Sequence, residues 1–190
     1  MGLLSGMRLH CFTNAVAGGW GPEDLETGIG GSEEVIILWS RALARLGAKV
    51  TVFHTPPDGH VREVVDGGVH YLPRERFDPA ARRDVLITWK DMRPWLLGAR
   101  APVRIHWSSD VEPPWPHGVA DGLDAFVCLT PYHAGRMLWV SRDRLRIVPH
   151  GVDLAALEAA RCERDPTMAL YASSPRPRPG ASAAGLATHP

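Results

Sequence analysis

Residues 27–55 read T-G-I-G-G-S-E-E-V-I-I-L-W-S-R-A-L-A-R-L-G-A-K-V-T-V-F-H-T. Few folds accept that succession of glycines, helical periodicity and a β-branched run. Val35, Leu38, Trp39, Ala42, Leu43 and Leu46 recur at helical spacing and predict a wide apolar face. Ser32 is the expected N-cap, because its hydroxyl can accept from an otherwise unpaired amide of the first turn. Glu33 and Glu34 put negative charge at the positive end of the helix dipole. Gly47 suits the left-handed residue that closes a helix, and residues 49–53 alternate as a half-buried strand does. The stretch is one half of an α/β unit with a glycine loop at the helix N-terminus. Gly30 and Gly31 carry no Cβ, so a ligand can approach the backbone there. First-turn amides attract anions, phosphates above all. Turning the chain is the other use of such glycines, and the loop alone does not decide between the two.

The same alternation continues along the chain. Strands are expected at residues 8–12, 49–53, 69–72, 85–88, 103–107, 125–129, 145–148 and 168–172. Between them lie the helix of residues 32–46, a short one over 91–97 capped by Asp91 and limited by Pro94, and one over 131–140. Thr130 caps that last helix, with Pro131 at its first position, and Asp153 caps a further short helix. The fold expected is α/β, a Rossmann-like, mostly parallel sheet with helices on both faces. Ligands bind such sheets at the C-terminal ends of the strands, near a switch in strand order. The loop over residues 13–31 is long enough to be functional or mobile. After residue 175 the sequence R-P-R-P-G-A-S-A-A-G-L-A-T-H-P has no periodicity and is expected to be disordered.

Charge and cysteine usage narrow the function. A formal net charge of zero gives no reason for nonspecific binding to nucleic acid or anionic membrane. Cys11 and Cys128 sit in apolar runs, and with Cys162 they lack metal-ligand spacing; they read as free thiols of a reducing, cytoplasmic compartment. No stretch is long and apolar enough to span a bilayer, and no signal peptide is expected. Peripheral membrane contact stays open.

Rival chemistries lack their motifs. A dinucleotide-binding turn needs G-x-G-x-x-G directly after the first strand, whereas Glu33 stands in the third glycine's place and the second strand ends in His54 and Thr55, not an acid. There is no G-x-x-x-x-G-K-[ST] and no G-x-S-x-G. His106 and Asp110 have metal-like separation, but a strand and loop do not bring such residues to one face, so no metal is expected. His106, near the C-terminal end of a core strand, and Asp110, in the loop after it, are the candidate catalytic residues. His106 could equally be a satisfied core histidine. Trp107 and Trp115 could stack on a sugar ring or pack the loop.

Taken together, G-I-G-G-S-E, L-A-R-L-G-A-K-V-T-V-F, D-V-L-I-T-W, I-H-W-S-S-D-V, D-A-F-V-C-L-T-P-Y-H-A and R-L-R-I-V-P-H-G-V-D, in this order across residues 8–153, resemble the N-terminal domain of a retaining glycosyltransferase of family four. That family has the GT-B fold of two facing Rossmann-like domains. The resemblance implies a GT-B N-terminal, acceptor-side domain over residues 1–150, a linker and the first strand of an incomplete second domain over 151–175, and a tail over 176–190. It implies that Gly30, Gly31 and Ser32 help hold the diphosphate of a nucleotide-diphosphate sugar, which is a donor substrate and not a cofactor. The acceptor would be a glycan, lipid or small molecule. In the family, a histidine followed by aspartate lies near the transfer centre; Ser109-Asp110 occupies that place, so Asp110 is the first choice and His106 the second. The family's donor-binding pair and glutamates have no counterpart after residue 175, so a truncated or frameshifted ending, inactive alone, is expected. A noncatalytic sugar- or nucleotide-binding module is the alternative.

Overall fold

A computed structural model of the 190-residue chain describes residues 2–57, 63–111, 115–116, 118–163 and 167. The strand expected over 168–172 and the tail after residue 175 lie outside the described residues. The chain divides into two units, Met1–Gly151 and Val152–Pro190. In the second, Asp153 caps the helix α4 (Leu154–Ala159) by accepting from the amides of Ala155 and Ala156.

The first unit is built on one sheet of β1 (Arg8–Thr13), β2 (Lys49–His54), β3 (Val64–Asp66), β4 (Val69–Pro73), β5 (Val85–Trp89), β6 (Val103–Trp107), β7 (Ala125–Cys128) and β8 (Leu145–Ile147). The spatial order is β3-β4-β2-β1-β5-β6-β7-β8, and every neighbouring pair is parallel except β3 with β4. This is the α/β, Rossmann-like sheet expected. With β3 set aside, the strands run outward from β1 in both directions, so the order switches between β1 and β5. The antiparallel β3 was not foreseen. It turns into β4 through Gly67 and Gly68, whose φ angles of 54° and 81° fit a two-residue hairpin that only glycine enters easily.

Alternation along the strands gives the sheet two apolar faces. Leu9, Cys11, Val50, Val52, Ile87 and Trp89 form one cluster, with Ile36 and Ile37 of α1 (Gly31–Arg45) laid upon it. Phe126 and Cys128 face the other way, against Met92, Leu123 and Met137, with Trp95 of α2 (Arg93–Leu96) and Ala134 of α3 (Pro131–Arg136) beside them. Helices thus cover both faces.

Two details of α1 correct the expectation. Its most buried residues are Ile36, Ile37 and Ser40, while Leu46 is 44% exposed. Residues 35–38 are all apolar, so periodicity could not fix the phase of the face, which is turned by about one residue. The N-cap is Gly30, with φ −63° and ψ 140°, and no side chain caps the helix. Ser32 lies inside the first turn. Gly47 does adopt the left-handed conformation, at φ +99°. Two other helices are shorter than expected. The helix after Thr130 ends at Arg136, and α2 runs only over Arg93–Leu96 from the N-cap Met92, with Asp91 Oδ1 still accepting from Arg93 N at 3.0 Å.

The 13–31 loop is tied down. Trp20 is 2% exposed, donates its amide to Thr55 O at 2.9 Å and accepts from His54 Nδ1 at 2.7 Å. On the face opposite α1, His10 is packed against Phe53, and its Nδ1 has no partner among the described residues. Burial first, then the charges of Arg83 and Arg8, lower its pKa from 6.5 to about 4. A histidine that binds a proton less readily when folded stabilises the fold above its unfolded value, and that contribution is lost as pH falls. The urea midpoint is therefore expected to drop between pH 6.5 and about 4. His10→Gln should flatten that slope; an unchanged slope contradicts the assignment.

Candidate functional site

β1 and β5 are neighbours with their C-terminal ends side by side, where the strand order switches. The chain leaving β1 returns at the N-terminus of α1, and the residue leaving β5 is Lys90. In doubly wound sheets this crevice is where ligands bind.

The α1 side offers open backbone. Gly30 O accepts from Glu33 N and Glu34 N, both at 3.0 Å. The amides of Gly31 and Ser32 make no hydrogen bond among the described residues. A Cβ at Gly31 would meet nothing within 4 Å. At Gly30 it would come within 2.3 Å of Glu33 Oε2, so the Glu33 carboxylate is folded back over the helix start. Gly28, at φ +110°, supplies the left-handed step into the turn. The helix N-terminus therefore faces open space, with one of its own carboxylates close by.

Lys90 closes the other side. It is the one non-glycine residue at positive φ among those described, at 56°, a conformation that costs about 1–3 kcal/mol. Its amide still donates to Trp107 O at 3.1 Å, which holds it to the β6 edge. Its ammonium donates to Ser32 Oγ at 3.1 Å and to Asp110 Oδ2 at 2.7 Å. The helix begins at Gly31, so Ser32 is its second residue and not its cap, and its hydroxyl accepts from Lys90 instead.

Asp110 is fixed at its backbone, while its side chain, paired with Lys90, is mostly exposed. Its carbonyl accepts from Ser108 Oγ at 2.6 Å and His133 Nε2 at 2.8 Å. Leu129 N donates to His133 Nδ1 at 3.3 Å, which leaves Nε2 as the protonated nitrogen. The carboxylate itself is 66% exposed, against 16% for the Lys90 side chain.

Aromatic rings floor the site. Trp89 and Trp107, both buried, lie 5.0 Å apart, and Trp39 meets Trp107 edge-on at 5.5 Å. Trp107 therefore packs the core and does not present a sugar platform. His150 stacks on Trp89 at 5.9 Å, and its buried Nε2 has no partner among the described residues. Burial first, then the positive charge of Lys90, lowers its pKa.

Of the sequence candidates, Ser32 and Asp110 are joined through Lys90, and Gly30 and Gly31 stand beside them. His106 is elsewhere. It is fully buried, its Nδ1 lies 2.8 Å from Thr88 Oγ1, and its ring packs on Phe126 at 4.9 Å. Strand alternation sends it to the face opposite Trp107, into the packed core. Lys90, His133 and His150 were missed. Lys90 had a signal: one of only two lysines, it directly follows the apolar strand V-L-I-T-W.

Among the described residues no three His, Cys, Asp or Glu side chains gather as metal ligands, and no helix is long and apolar enough to cross a membrane. A cavity of about 740 Å³ opens between residues 79–84 and 97–102. It sits at the N-terminal ends of β5 and β6, the wrong edge for the chemistry above. No protein-family model matches the chain, and no curated protein does.

Proposed function

We propose that this chain is the acceptor-side domain of a retaining, GT-B glycosyltransferase of the family-four kind, cytoplasmic, which moves a sugar from a nucleotide-diphosphate donor to an acceptor hydroxyl. The observation that carries the reading is the meeting of open α1 amides with the Lys90 ammonium at the strand-order switch. In this reading the diphosphate lodges between Gly31, Ser32 and Lys90, where fixed donors stabilise charge developing on the leaving group. Asp110 faces the acceptor hydroxyl. In this reading the transfer chemistry also uses a donor-binding domain, so these 190 residues taken by themselves are expected to bind the donor weakly, and turnover is expected only where such a domain is joined to them.

Calorimetric titration with uridine and guanosine diphosphate sugars tests the reading, and saturable heat is expected. Gly31→Asp should abolish it, because a carboxylate would occupy the anion position. The fold should survive, since the site is open and an acidic residue favours a helix N-terminus. Absence of binding by the parent chain at millimolar ligand overturns the proposal. One observation favours a second reading, a noncatalytic nucleotide-binding module: the Asp110 carboxylate is already paired with Lys90. Binding without turnover in a chain joined to a donor-binding domain would select it.

A further inference from the structure

The Lys90–Asp110 pair joins two groups of unequal freedom. Lys90 is held by the backbone bond to Trp107, by Ser32 and by the burial of its stem. Asp110 has a pinned carbonyl but a carboxylate mostly in solvent. A rotation of that side chain alone uncouples the pair, with no backbone movement. An exposed carboxylate contributes little by pairing with a lysine, whereas a diphosphate would gain the same ammonium and the two open amides of α1 together.

We propose that Asp110 is an internal competitor for the phosphate position on Lys90: in the free protein its carboxylate occupies the ammonium, and an arriving diphosphate displaces it. Lys90 is then the residue that binds the diphosphate, and the same exchange frees the Asp110 carboxylate. Ligand binding and release of the candidate acceptor-side group become one event. A ligand without a diphosphate, such as the free nucleoside, leaves the pair closed. The inference rests on the nucleotide-sugar reading but makes a separate demand, on the sign of two substitutions.

The test titrates the full chain with uridine diphosphate, inorganic pyrophosphate and uridine. Lys90→Met keeps the stem and removes the charge; it should weaken both phosphate ligands by about tenfold or more. Asp110→Asn should tighten both by about three- to tenfold, since the competitor loses its charge. In the Lys90→Met background that gain should vanish, because nothing is left to compete for. Circular dichroism and melting temperature show that each variant is folded. A gain from Asp110→Asn that persists without Lys90 means that Asp110 acts through its general field, and the exchange is wrong. Weakened or unchanged binding in Asp110→Asn also overturns it. If the parent binds and Lys90→Met binds equally well, this proposal falls and the nucleotide-sugar reading stands. If neither the parent nor Asp110→Asn binds a diphosphate, both fall.

Discussion

Asp91→Asn is expected to destabilise the fold by about 3–5 kcal/mol at neutral pH, the cost of leaving a buried cation unpaired. Asp91 is 4% exposed and takes Arg74 Nη2 at 2.6 Å, and Arg93 reaches the same carboxylate. The Arg74 side chain is 9% exposed and lies over the Phe12 ring at 4.7 Å, so little of it reaches water. Burial lowers the pKa of Arg74 in spite of Asp91. Burial would raise that of Asp91, but the hydrogen bonds of Arg93 and the charges of both arginines hold it below 3.8. The two partners shift unequally because one carboxylate serves two cations. A carboxylate with a depressed folded pKa stabilises the protein above its unfolded value, and that contribution is lost as pH falls through the folded one. The parent and Asp91→Asn should therefore differ fully at pH 7, begin to converge only below 3.8, and meet as pH falls through the lower folded value. Urea denaturation at pH 7 and at a series of values below 3.8 measures this. Arg93→Met, at a side chain 56% exposed, is the control and should cost less than about 1 kcal/mol. A loss below that level for Asp91→Asn would show that Arg74 finds another partner.

The sequence revealed the sheet better than it revealed the site, for physical reasons. The parallel strands are short β-branched or wholly apolar runs, because a sheet covered on both faces must be apolar on both. V-L-I-T-W carries that signal in five consecutive buried residues. What the pattern could not supply was phase. In α1 the run V-I-I-L offered apolar residues to every direction, so the face was drawn through Leu46, which the structure leaves at the surface. In β6 a single step of alternation separates His106, enclosed against Phe126, from Trp107 on the α1 side. The glycine loop and Asp110 were legible because they follow strands, and strand ends are the ligand edge of such a fold. Lys90 follows a strand too. Its partners are 58 and 20 residues away (90 − 32 and 110 − 90), and only the β1–β5–β6 adjacency brings them together.

The start of α1 is joined to the end of β1 by a loop, and Gly19 is where the loop can be tested. Gly18→Ala and Gly19→Ala look equivalent by backbone, with φ angles of +82° and +70°. Each puts a side chain into the left-handed region at about 1–2 kcal/mol. Their surroundings differ. A Cβ at Gly18 meets nothing within 4 Å, whereas one at Gly19 would lie 2.2 Å from Pro56 O and 2.4 Å from its carbonyl carbon. Backbone cannot rotate away as a side-chain tip can, so Gly19→Ala must also shift the loop, adding about 1–3 kcal/mol. Gly19 is followed by Trp20, whose amide and carbonyl are both bonded to the end of β2. The shift should therefore loosen that anchor and, with it, the approach to Gly30. Gly19→Ala is expected to lose about 2–5 kcal/mol and to bind uridine diphosphate more weakly. Gly18→Ala should lose only the strain and bind as the parent does. Equal losses in the two variants would mean that the close approach to Pro56 relaxes without cost. The loop would then be a tether of adjustable length, and the position of α1 would be set by its packing on the sheet alone.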